Sequence, residues 1–163
     1  MASFLYRMPS GVVGSVTRAL DTSVESAFMN IAKAVTAFGA PCKMTSGKIE
    51  LIESGDTAAS FYGIVSRVAP SISGSTAQLF ADGVPNSDVA QGVVVRGYVN
   101  VTCTVGTPVR GGAVYMRVVA ATGKAIGDLE ATADSTNSVA LTNVVWAVDG
   151  KDANNIAEIR IKA

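Results

Sequence analysis

At 163 residues the chain suits one domain with a sizeable core and a terminal segment left over. Its 13 basic and 13 acidic residues cancel and are interspersed, so no basic face presents itself to a phosphate backbone and a nucleic-acid partner is not expected. Charged residues make up only 16% and hydrophobic residues 48%, yet no apolar run approaches the roughly 18 residues of a membrane-spanning helix. The apolar excess is therefore expected to face protein, in an assembly, and not a membrane.

The opening residues, Met1 to Met8, lack the basic-then-apolar layout of a secretory signal, and the expected site of action is the cytoplasm or a particle assembled there. Phe4, Leu5, Tyr6 and Met8 are apolar side chains at a terminus, with Arg7 among them; such side chains either fold back on their own domain or dock on a partner. Over residues 1–36 the period is ambiguous. Val24, Phe28, Ile31 and Val35 recur at helical spacing, whereas the Thr, Ser and Val content of 15–26 suits extended chain. The reading is an extended N-terminal arm over 1–36, followed by a β domain over 37–163.

From Ala37 onward, short apolar stretches alternate with Gly, Asn, Asp, Ser and Pro clusters, which predicts strands at 38–44, 47–52, 61–67 and 77–80. The clearest is 92–105: Val95, Gly97, Val99, Val101, Cys103 and Val105 share one face and Arg96, Tyr98, Asn100, Thr102 and Thr104 the other. A turn at 107–112 leads to a strand at 113–119, then come 125–131, 138–147 ending in Trp146, a turn at 149–152, and a closing strand with Ala157, Ile159 and Ile161 opposing Glu158, Arg160 and Lys162. The fold class is all-β, a single antiparallel β-barrel or jelly-roll-like sandwich.

Catalytic chemistry finds little purchase. The chain has no histidine, which removes the usual nucleophile triads, His-rich zinc sites and the common general base near neutral pH. Asp56-Thr57-Ala58 reads as a turn, and Glu50, Glu53, Asp82, Asp88, Asp128 and Glu130 read as solvated acids. Asp149 to Asn155 lacks the alternate-residue spacing of a calcium loop, Gly47-Lys48 lacks the surroundings of a phosphate loop, and Asn100-Val101-Thr102 lies in mid-strand. Cys42 and Cys103 form no ligand motif and read as buried thiols. No catalytic, metal or cofactor residue is expected. Trp146 reads as core, and Tyr98 as part of a contact surface.

The segments Thr36-Ala-Phe-Gly-Ala-Pro-Cys-Lys-Met44, Gly47-Lys-Ile-Glu50, Ile52-Glu-Ser-Gly-Asp-Thr-Ala58 and Phe61-Tyr-Gly-Ile-Val-Ser-Arg67 resemble the structural cement protein family of tailed phages. Gly14-Ser-Val-Thr-Arg18, Val94 to Val101 and Gly106 to Val118 are similar to family segments in the same order, so the resemblance spans most of the chain. It implies a capsid decoration subunit, a homodimer on the outer surface of an icosahedral shell, clamping neighbouring major capsid proteins. Phe4, Leu5, Tyr6, Arg7, Met8, Arg18 and Tyr98 are then the expected interface residues, the arginines placed to pair with capsid acids. The alternatives are a carbohydrate- or receptor-binding module on a similar scaffold, and a hydrolase of unrecognised type.

Overall fold

The computed structural model describes residues 11–67 and 84–162. The expected strand at 77–80 and the apolar side chains of residues 4–8 lie outside them. Nine strands are present among the described residues: β1 (Ser23–Met29), β2 (Pro41–Thr45), β3 (Lys48–Leu51), β4 (Gly63–Val65), β5 (Gln91–Val105), β6 (Ala113–Arg117), β7 (Leu129–Glu130), β8 (Ser138–Trp146) and β9 (Ile156–Ile161). Between them are three short 3-10 turns, at Ala19–Asp21, Ile31–Lys33 and Ala58–Ser60.

The long strand β5 organises everything else. Its first half pairs with β1 and β4, and its second half with β9 and β7. The pairing closes twice on β5, once through β1, β3, β2 and β4 and once through β7, β6, β8 and β9. The result is all-β, a closed barrel with additional strands. Most pairings are antiparallel; β1–β3 and β5–β7 are parallel.

The halves of β5 serve different cores. Val93 packs with Met29, Val35, Cys42, Ile49 and Val65, whereas Val99, Val101 and Cys103 pack with Val114, Met116, Trp146 and Ile159. Val94 joins that second cluster, so even positions face it before Gly97 and odd positions after. One uniform alternation over 92–105 therefore does not hold. Gly97 has φ +110°, and the β1–β5 register slips at Arg96, which swaps the two faces there.

Local chemistry explains the connections. Ser46 and Gly47 both have positive φ, as a two-residue type I′ hairpin between β2 and β3 requires. Within the stretch expected as an arm, residue 16 bridges Val99, Gly14 N–H donates to the Asn100 carbonyl and Arg67 N–H to that of Gly14. β1 follows, hydrogen-bonded to β5 and β3.

The expectation for Glu130 is corrected. It is not solvated but completely buried, because Arg117, equally buried, places its Nε 2.6 Å from Glu130 Oε1. Glu50 is also buried and accepts from Asn30 Nδ2 at 2.7 Å. Both thiols are free and buried, as expected. Burial pushes Cys42, whose thiol donates to the Gly63 carbonyl, up to about 12, and burial also raises Cys103. Native protein is therefore expected to leave both thiols unmodified by a charged disulfide reagent at about pH 8 while the unfolded chain reacts fully. Rapid labelling of Cys42 would contradict this packing.

Candidate functional site

Of the acids weighed for chemistry, Asp82 lies outside the described residues and most of the others are committed to structure. Asp56 accepts from Glu53 N–H at 2.7 Å and from Lys43 Nζ at 3.0 Å, and Thr57 and Ser60 form a reciprocal cap, so this segment is a turn. Lys33 and Lys43 both lie 2.8 Å from Glu53 and hold its carboxyl down at about 2. Asp152 caps the N–H groups of Asn154 and Ile156, and Asp149 accepts from Arg110 N–H. Asp128 accepts from Ala125 N–H. Among the described residues no group of acids and cysteines is arranged to hold a metal ion. Trp146 is 1% exposed and belongs to the core, so it offers no platform for stacking a sugar.

The chemistry on offer is that of surfaces, and there are two. The first is apolar. Val24 and Phe28 share a face of β1 and are exposed, and Leu20 and Ile31, which flank the strand in sequence, are more exposed still. Phe28 and Ile31 line a hollow with Ser46, Gly47, Lys48 and Asp88. The helical spacing of these positions is thus realised in a strand and two turns, with Val35 buried.

The second surface surrounds Tyr98. Antiparallel pairing sets Tyr98 opposite Arg160 and Asn100 opposite Glu158, and alternation turns all four to the outer side of the wall. Arg18 reaches over from the N-terminal segment. Its guanidinium lies 3.9 Å from the centroid of the Tyr98 ring and its Nη2 is 3.1 Å from Glu158 Oε2; Thr17 Oγ1 donates to the other oxygen of Glu158. Arg160 approaches the same ring at 5.4 Å. Cation and ring attract through the ring quadrupole, so the stack fixes the tyrosine.

Two of the seven expected interface residues, Arg18 and Tyr98, therefore meet each other. Phe4, Leu5, Tyr6, Arg7 and Met8 lie outside the described residues. Sequence reasoning missed Arg96, Arg160 and Lys162. The alternation of β5 and β9 assigns them to polar faces, but their meeting depends on a register between strands some sixty positions apart.

A closed β scaffold with exposed apolar and cationic surfaces is suited to contact with other proteins. The chain belongs to the XM1 gp53 minor capsid protein family, which it matches over residues 1–161. It is thus a structural protein of a phage capsid, in line with the resemblance of its segments. A chain in the solved capsid of Myoviridae phage XM1 has the same fold at 18% identity, with a TM-score of 0.72 over 98% of this chain and 95% of that one. No curated protein matches the chain in sequence.

Proposed function

We propose that the chain is a cement protein without catalytic activity, which binds the outer surface of the icosahedral shell as a homodimer and bridges neighbouring major capsid subunits. The observation that carries this is the exposed set Leu20, Val24, Phe28 and Ile31 on a scaffold whose cores are already filled. Apolar side chains held in water on a rigid sheet gain free energy when a partner covers them. A subunit that binds the assembled shell, and not its free parts, stabilises the shell by mass action. Repetition over a symmetric lattice multiplies weak contacts.

In this reading Phe4, Leu5, Tyr6 and Met8 add apolar anchors on the capsid or a neighbouring copy. Deleting residues 1–8 is expected to weaken capsid binding at least about tenfold without lowering the melting temperature. Full affinity in the truncated protein would remove the arm from the account. Outer placement is tested by imaging cognate capsids before and after addition of the protein. Added density outside, at junctions between capsomers, is expected; density lining the interior would refute it.

A further inference from the structure

The Tyr98 surface has a chemistry of its own. A hollow of about 290 Å³ opens beside the ring, lined by Asp21, Arg96, Gly97, Tyr98, Arg160 and Lys162. Arg96, Arg160 and Lys162 are exposed. Among the described residues none of the three is ion-paired: the carboxylate closest in sequence pairing, Glu158, is taken by Arg18 and Thr17. Three cations against one rim carboxylate, Asp21, leave a local surplus on a chain whose charges cancel as a whole.

The hollow is also built. Arg160 stands over the Tyr98 ring, and the ring is held from a second direction by Arg18, so at least one guanidinium is oriented before any partner arrives. Gly97 contributes only backbone to the lining, between Arg96 and Tyr98. A guanidinium fork matches the two oxygens of a carboxylate.

We propose that this hollow receives carboxylate side chains from an acidic segment of the major capsid protein, a polar contact separate from the apolar row on β1. The inference rests on the capsid-binding reading and names the chemistry of one of its contacts. Carboxylate is favoured over phosphate because the rest of the chain offers no extended basic track along which a nucleic acid backbone would run.

The test is binding of the full-length protein, and of Arg96→Glu/Lys162→Glu, to cognate capsids that lack it, at low and at physiological salt. Arg18, Tyr98 and Arg160 are left intact, so the stack survives, and melting of the variant reports on its fold. Should the reversal lower melting, Arg96→Gln/Lys162→Gln takes its place. The wild type is expected to bind with an affinity that falls as salt rises, and the variant at least about tenfold more weakly. Poly-glutamate, and not duplex DNA, is expected to compete with wild-type binding. A folded variant that binds like the wild type overturns the inference while leaving the capsid reading standing. Competition by DNA alone would make the hollow a phosphate site and overturns it too. A wild type that does not bind capsids defeats the underlying reading itself.

Discussion

Replacing Arg117 with alanine is expected to lower the free energy of unfolding by about 3–5 kcal/mol, because it strands a buried carboxylate without its cation. Arg117 closes β6 inside the barrel wall. Its Nε donates to Glu130 Oε1 on β7 at 2.6 Å, its Nη2 to Asp134 Oδ2 at 2.5 Å, and its Nη1 to the Val119 carbonyl at 3.1 Å. One side chain thus ties β6, β7 and the loop after β7. Glu130 Oε2 has no hydrogen-bond partner among the described residues, so the guanidinium is what offsets the cost of its charge. If desolvation is the governing term, Arg117→Met combined with Glu130→Leu should regain most of the loss, since both charges then leave together. Urea unfolding of the single and double variants measures this. A cost below about 1 kcal/mol for Arg117→Ala would show that the pair is more solvated than its burial indicates.

The same network predicts acid sensitivity. Arg117, helped by Lys124 and Asn137, holds the Asp134 carboxyl down from 3.8 to about 2. A carboxyl depressed in the folded state contributes stability that is fully present above its unfolded value and is lost as pH falls through the folded one. Unfolding should therefore become easier between 3.8 and about 2, and Asp134→Asn should flatten that part of the profile.

Gly97→Ala is the second large effect, expected to cost about 2–5 kcal/mol from backbone strain and overpacking together. At φ +110° an L side chain is strained, and a Cβ would stand 2.4 Å from Thr22 Oγ1 and 2.5 Å from Asp21 O and Thr22 Cα. Two of these atoms are backbone, at the entry to β1, where Thr22 Oγ1 accepts from Tyr98 N–H at 3.1 Å. Relief would require β1 to move away from β5. Gly123 is the control: its φ is +71° but nothing lies within 4 Å of its Cβ position, so Gly123→Ala should cost only about 1 kcal/mol. Equal costs at both positions would mean that Gly97 matters for its dihedral alone and not for the crossing it permits.

Gly97 also marks where the sequence stops being readable. Period-2 alternation located β5, β6, β8 and β9 to within a residue or two, because half-buried strands must alternate. It did not reveal that the buried face of β5 changes sides, since glycine fits either face and the close approach of Thr22 to Gly97 is a non-local contact. The stretch 125–131 shrinks to Leu129–Glu130, because Asp128 caps Ala125 and the residues before it close a tight turn at 121–124. Glu130 looked solvated because an acid in a polar-looking strand usually is; its cation lies 13 positions earlier, and only the pairing of β6 with β7 brings them together. Tyr98 was legible as an outward residue of the strongest strand, whereas the cations beside it come from β9 and from residue 18. Local periodicity encodes which way a side chain points. The company it keeps is set by non-local register.

The central claim, that this capsid protein stabilises the shell by binding it, is tested most directly by co-sedimentation with cognate expanded capsids that lack it, paired with the heat resistance of the same particles. Saturable binding, accompanied by a rise in the temperature at which the particles open, is the predicted result. A folded protein that stays in the supernatant, or that binds without any rise in heat resistance, would contradict it.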